Sequence, residues 1–230
     1  GLVTADSGSV SESLCGKFSL EGVDNKNTPL EWISENGYSY LGTANSQGQE
    51  TFPKWKNFFQ YFTPNSTISI KYTPFDSISG NAKSRVWFLW SDVPLTSKLP
   101  RNSKVSSTFS SVDGSSTDLT ISSMSRLLEV KSTLCLAQPT VDESYISTQK
   151  IVSSSLLGVQ QIEIPLYSTT IEATGATVYT PQPDVQLDIP ISPNKSNSCS
   201  FQISNNVTAG TTVAGIIATE ITYLPTSIAK

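Results

Sequence analysis

Histidine is absent from all 230 residues. That removes imidazole as a general acid or base, as the activator of a serine or cysteine nucleophile, and as a ligand for zinc or iron. Cysteine is scarce: Cys15, Cys135 and Cys199 are widely spaced and form no CxxC pair. Neither a paired-cysteine zinc site nor thioredoxin-like redox chemistry is supported. The three read as buried thiols acting as small hydrophobes, with one disulfide plus one free thiol as the alternative. Charge is thin as well. Asp, Glu, Lys and Arg make up 15% of the chain, against about a quarter in an ordinary soluble domain. The net charge is −4 with a sequence pI near 4.9, and the basic residues are scattered. A protein whose main task is gripping phosphate backbones needs clustered Lys and Arg. The nearest thing to a cluster, Lys54 and Lys56 around Trp55, reads as the solvated approach to a strand. Long apolar runs are missing too, and none comes near the roughly 20 residues that span a bilayer. No P-loop, GxSxG elbow or dinucleotide fingerprint occurs.

What is present is hydroxyl and aromatic. Serine and threonine fill the place of charge, a surface that suits extracellular proteins and particle surfaces alike. With 4 Trp, 8 Tyr and 9 Phe, the composition is that of a folding chain rather than a disordered one. Gly1-Leu2-Val3 opens without Met or a charged n-region, which reads as signal removal, a tag remnant or excision from a polyprotein. Asn65-Ser-Thr, Asn194-Lys-Ser and Asn206-Val-Thr are glycosylation sequons, weak pointers to secretion in a chain this rich in Ser and Thr.

Period-two alternation recurs along the chain. Residues 1–13 are small and polar and read as an arm or lead-in, with 14–230 as one domain. Leu14–Leu20, Tyr38–Gly42 and Thr67–Thr73 read as strands, with Ile68, Ile70 and Tyr72 on one face. Trp55, Phe58, Phe59 and Phe62 have the spacing of a helical turn or two. Arg85–Ser91 is the densest apolar strand, with large residues on both faces, and predicts cover on both sides. Residues 95–118 read as a long polar loop, and Leu127–Lys131 as an extended piece or a helix turn. In VQQIEIPLYS, Ile162, Ile164 and Leu166 alternate with Glu163 and Pro165. Proline cannot donate a ladder hydrogen bond, so this strand is an edge, a bulge or a sharp exit. Residues 185–189, Phe201–Ile203 and Val213–Leu224 alternate again.

The pattern amounts to about eight or nine short strands with long connections. There is no βαβ alternation and no repeat. The fold class predicted is all-β: a single eight-stranded antiparallel jelly-roll β-sandwich with long loops and a few short helices.

Three sets of residues invite a chemical reading. Paired carboxylates perform glycoside hydrolysis, and Glu163, Glu172, Asp184, Asp188 and Glu220 lie in or beside predicted strands. Their spacing fits the solvent-facing members of alternating strands better. Asp113 to Asp118 holds two carboxylates in a loop, far short of an EF-hand, and reads as a polar turn. Exposed tryptophan faces stack on sugars. Trp32 and Trp55 flank loops, whereas Trp87 and Trp90 share the densest apolar strand, so that at least one of those two belongs to the core. The sequence assigns no catalytic residue, no metal ligand and no cofactor.

Trp55, the alternating TISIKYTP, the Gly80 loop and SRVWFLWSDVP together resemble the middle of a picorna-like virus coat protein. In that family a Trp leads into one strand, a second strand follows a glycine-bearing loop, and it exits through a proline. The stretch VSSSLLG followed by IEIPLYS resembles a later family strand, whose proline marks the exit toward a long surface loop, here Thr169–Pro183. The resemblance covers roughly Lys54–Pro94 and Ser153–Ser168. It implies one of three small coat proteins of a plant or insect virus, cut from a polyprotein before Gly1, without enzyme activity. It also implies an icosahedral shell as partner, residence in the virion, and assembly in the host cytoplasm. Other coat subunits would be the direct partners, along with a host receptor or vector, without membrane insertion. The acidic chain implies weak or indirect RNA contact. The alternative reading is a secreted β-sandwich carbohydrate-binding module or adhesin.

Overall fold

The computed structural model describes residues 2–5, 16–21, 30–36, 58, 67–75, 82–89, 91–92, 99–111, 116–138, 143–144, 146–159, 161–166, 170–171, 185–192, 198–208 and 214–226. Among these, all regular structure is β and none is helical. In chain order the strands are β1 (Leu2–Ala5), β2 (Gly16–Glu21), β3 (Glu31–Ile33), β4 (Glu35–Asn36), β5 (Ser69–Pro74), β6 (Ala82–Arg85), β7 (Asn102–Ser111) and β8 (Ser116–Ser122). There follow β9 (Met124–Gln138), β10 (Glu143–Ser144), β11 (Ile146–Val152), β12 (Gln161–Leu166), β13 (Thr170–Ile171), β14 (Val185–Pro190), β15 (Ser198–Thr208) and β16 (Ala214–Pro225).

Two four-stranded sheets carry the main core, in the orders β14-β9-β16-β7 and β12-β11-β15-β8. The pairing is nested and antiparallel. First pairs with last (β7 with β16), then β8 with β15, β9 with β14, and β11 with β12. A long hairpin rolled up on itself gives this order, because each strand keeps its hairpin partner while the roll brings β9 beside β16 and β11 beside β15. The chain crosses from one sheet to the other in a single residue at Ser123, whose φ is 60°. A side chain seldom takes that left-handed conformation, and here it makes the corner between β8 and β9.

The core between the sheets follows from alternation. β8 buries Leu119 and Ile121, β12 buries Ile162 and Ile164, and β15 buries Cys199, Phe201 and Ile203. On β9, Leu127 and Val130 are both fully buried although three residues apart. Strand neighbours that share a face are two apart, and a bulge resolves the conflict. Thr222 and Tyr223 of β16 oppose Glu129 and Leu127, so Leu128 is the extra residue. The apolar spacing that reads as a helix turn over Leu127–Lys131 is therefore a bulged strand. β12 lies at the edge of its sheet, where Pro165 opposite Thr148 interrupts no second ladder.

Two further expectations are corrected. The long polar loop expected over residues 95–118 contains β7, whose ten residues pair with Tyr223 back to Ala214. Its Ser-rich sequence hides it, since its strand character comes from that partner. Arg85–Ser91 is not a strand covered on both sides: β6 stops at Arg85, and Trp87, Phe88 and Leu89 are 47%, 53% and 89% exposed. Of the expected lead-in, Leu2–Ala5 pair with β6 and β4. In the expected surface loop, Thr170–Ile171 pair with β10. The strand expected at 38–42, and all of the helical 55–62 except Phe58, lie outside the described residues; Phe58 is in neither helix nor strand.

The first third of the chain builds a smaller sheet, β3-β2-β5, around Phe18, Leu20, Leu30 and Trp32, with Phe58, Tyr72 and Val86 packed against them. Phe18 stacks on Trp32 at 5.5 Å between ring centroids and meets Tyr72 at 5.1 Å. Gly16 is needed here: a Cβ would sit 2.6 Å from the Thr73 carbonyl oxygen and from the Tyr72 ring.

This sheet is tied to the sandwich by two carboxylates. β7 is the edge of its sheet, and edge amides need cover. Glu31 supplies it: Oε2 accepts the Val105 N–H at 2.9 Å, Oε1 takes the Lys17 ammonium at 2.9 Å, and its carbonyl accepts the Ser103 hydroxyl. In return Glu220 Oε2 accepts the Ile33 N–H at 3.0 Å. Leu30 bridges Ser103 beside them.

Glu31→Ala removes the acceptor of a backbone amide and of an ammonium together. We expect a loss of about 1–3 kcal/mol in denaturant unfolding and faster hydrogen exchange at the Val105 amide. Burial pushes the hydroxyls of Tyr72 and Tyr223 up to about 12, despite hydrogen bonds with Ser34 and Asn102 that oppose the shift. Their ordinary value is 10.0. The folded values are raised, so the contribution of these groups is intact below pH 10 and is lost as pH climbs toward 12. Stability should fall by up to about 1.4 kcal/mol per pH unit for each tyrosine across that window. Tyrosinate absorbance followed beside circular dichroism checks this; titration of both groups near pH 10 in the folded chain would contradict it.

Candidate interaction surface

The carboxylates singled out in the sequence do not converge among the described residues. Glu163 is exposed on the edge strand β12. Asp188 is exposed on β14 and holds Arg126 through two contacts, one of them Nη2 to Oδ2 at 2.8 Å. The hydrogen bond and charge of Arg126 draw the Asp188 carboxyl below its ordinary value, and Asp188 raises the guanidinium in return. Both groups are solvated, so the pair adds little stability. Glu220 departs from the solvent-facing reading: it is 2% exposed, in the other sheet from Glu163, and holds β3. Glu172 and Asp184 lie outside the described residues.

The other candidates are placed in part. Asp118 is exposed on β8, while Asp113 lies outside the described residues. Among the described residues no group of three or more Cys, Asp or Glu is placed to hold a metal ion. None of the strands gives way to a helix long and apolar enough to cross a membrane, again among the described residues. Cys199 is a buried free thiol with its Sγ 3.2 Å from Ser153 Oγ. Cys15 and the side chain of Cys135 lie outside the described residues, as do Lys54–Lys56, Asn65 and Asn194. Asn206 sits within β15, opposite Thr148. Trp32 is core rather than exposed, stacked on Phe18. Trp87 is the exposed one; Trp90 and Trp55 lie outside the described residues.

Sequence reasoning missed a polar group inside the core. Gln149 of β11 is 1% exposed and faces Ser132 of β9 and Thr219 of β16 across the sandwich. Its Oε1 accepts the Thr219 hydroxyl at 3.1 Å and the Ser132 hydroxyl as well, with 3.5 Å between the two hydroxyls. The signal was parity: Gln149 lies two residues before buried Ile151 and so faces inward. This group joins the sheets, and it has the chemistry of a structural clasp.

The surface that stands out is apolar. Trp87, Phe88 and Leu89 are consecutive and exposed. They follow Val86, which packs against the Phe18–Trp32 cluster and so anchors the run to the small sheet. Ile70 lies two residues from Tyr72 on β5 and is 37% exposed, and Ile68, just before that strand, is 43% exposed. Large side chains left in water at this density mark contact surfaces more often than monomer surfaces.

The clasp yields a prediction. Gln149→Ala strands two buried hydroxyls and opens a cavity, and should cost about 2–4 kcal/mol. Replacing the group as a whole, Gln149→Leu with Ser132→Ala and Thr219→Val, should recover much of that loss. Denaturant unfolding of the two variants measures both.

No family model and no curated protein matches the chain. Among solved structures, the mosquito-larvicidal Cry4Aa toxin of Bacillus thuringiensis is similar at 8% identity, over 95% of this chain and 43% of that one, with a TM-score of 0.33. The infectious bursal disease virus Gx strain structure is similar at 10% identity, over 99% and 60%, with a TM-score of 0.27. The VP2 subviral particle of the same virus gives 12%, 98% and 60%, and 0.25. The chain spans less than two thirds of each of these structures. Likeness at these scores is too slight to argue from.

Proposed function

We propose that the chain is a structural coat subunit, a jelly roll that assembles with other coat subunits into an icosahedral shell around an RNA genome. The observation that carries this is the nested pairing of eight strands in two four-stranded sheets. That order supports the jelly-roll reading, a double-sheet architecture in which closure of the roll leaves few open edges. A fold alone hosts many functions. The coat reading therefore also draws on the resemblance over Ser153–Ser168, where β12 carries Pro165 at the sheet edge, and on the exposed run at Trp87–Leu89.

In this reading the protein works by contact rather than by chemistry. The polar sandwich forms the shell wall, and its surfaces bury against neighbours in repeated, symmetry-related contacts. A chain of net charge −4 makes weak RNA contact, so genome charge is balanced by other components or by cations. The picorna-like assignment, release from a polyprotein, the absence of enzyme activity and residence in the virion belong to the same proposal. The exposed indole of Trp87 favours one second reading, a secreted carbohydrate-binding module.

Sedimentation of the native source material, with this chain followed by mass spectrometry and electron microscopy, separates the two. The coat reading expects the chain in round particles beside other proteins of similar size. A glycosylated monomer in light fractions, losing sugar affinity on Trp87→Ala, would replace it with the second reading.

A further inference from the structure

The two sheets of the sandwich end in four edge strands, and three of these carry a device against further pairing. β12 holds Pro165, β14 shifts register between Gln186 and Ile189, and β7 is covered at Val105 by Glu31 and bridged at Ser103 by Leu30. β8 has none of these. Its residues Ser116–Ser122 pair with β15 in unbroken register and include no proline. We infer that β8 joins two copies of this chain edge to edge, as antiparallel strands about a two-fold axis at Leu119.

The backbone of β8 is turned for this. Lys104 Nζ donates to the Thr120 carbonyl at 2.9 Å in a contact open to solvent, and the Thr120 and Ser200 hydroxyls lie 3.3 Å apart across the pair with β15. Both mark Thr120 as a position that makes no ladder bond to β15, with its N–H and C=O facing outward. By the period of two, Ser116, Asp118 and Ser122 face their amides outward as well. The side chains of all four are exposed and polar. Among the described residues no strand pairs with β8 on that side.

Charge selects a second copy and its register. Along this edge the described charges are one negative, Asp118, and one positive, the Lys104 ammonium on the Thr120 carbonyl. A two-fold contact requires the edge to match itself, and only outward residues can bond outward residues. An axis at Asp118 sets the two Asp118 side chains opposite each other. An axis at Thr120 brings the two Lys104 ammoniums together. Like charges so placed repel. The axis at Leu119 avoids both: Asp118 of each copy lies opposite Thr120 of the other, beside its Lys104, and Ser116 lies opposite Ser122. The Thr120 carbonyl has a second lone pair for the incoming Asp118 N–H. Four pairs at two bonds each approach the roughly ten direct hydrogen bonds of a typical interface. On the inner side Leu119 meets Leu119 and Thr117 meets Ile121, so the apolar face of the sheet continues across the seam.

The inference stands apart from the shell, since a dimer that builds no particle upholds it while the coat reading fails. The test is sedimentation equilibrium of the purified full chain, with residue-resolved hydrogen exchange at high and low concentration. The wild-type chain should dimerise, and the Asp118 and Thr120 amides should be protected in the dimer and exchange freely on dilution. Thr120→Pro removes an N–H that β15 does not use, so the monomer keeps its ladder; it should weaken the dimer at least about tenfold. Asp118→Lys and Lys104→Glu should each weaken it, and the two together should restore it. A wild-type chain still monomeric at concentrations on the order of 100 μM overturns the inference. So does a dimer indifferent to Thr120→Pro, or a double variant as weak as the singles. Protection of the Asp118 and Thr120 amides in a monomer at every dilution would assign this edge to a segment of the same chain, and overturns it too.

Discussion

Strand β16 is the constraint from which the rest of this structure follows. It pairs with β7 on one side and β9 on the other, and it is buried on both faces from Ala218 to Tyr223. Its inward residues, Thr219, Ile221 and Tyr223, belong to the sandwich interior; its outward residue Glu220 accepts an amide of the small sheet. One strand is thus common to the main core and to the attachment of the smaller one. The polar choices on it are consequences. Burial on both faces leaves no solvent for Glu220 or Thr219, and each is satisfied by a partner from another layer.

The two sheets do different work around that strand. The sheet β12-β11-β15-β8 is amphipathic in the simplest sense, with buried Leu119, Ile121, Phe201 and Ile203 alternating with Thr120, Ser200 and Gln202 in solvent. The sheet β14-β9-β16-β7 is sandwiched in its middle, and its outward face carries Glu129, Lys131 and Glu220, all buried. Its edge strand β7 is covered through Glu31. This is how one edge position of a polar strand is covered: the Val105 amide finds a carboxylate instead of another chain.

Much of this was legible where one face of a strand meets water. The alternation in β5, β12, β14 and β15 can be read from the sequence, and of the edge, bulge or sharp exit that Pro165 allows, the fold takes the edge. Legibility failed for three physical reasons. In β9 the bulge at Leu128 breaks the period of two, so Leu127 and Val130 mimic a helical spacing. In β7 the serines conceal a strand whose stability lies in its partner. At Glu220 parity predicts a solvent-facing carboxylate, and only the distant β3 segment buries it. Trp87–Leu89 failed in the opposite direction, because apolar residues on both faces imply burial and the fold leaves them exposed. Local pattern reports which residues avoid water; it does not report whether the same chain supplies the cover.

The most direct measurement is hydrogen–deuterium exchange of the full chain, resolved by residue. Amides from Ala218 to Tyr223 should exchange with the slowest set and only through global unfolding, more slowly than those of the edge strands β8 and β12. If β16 exchanges faster than those edges, it does not hold the two cores together, and the account of the fold built on it is wrong.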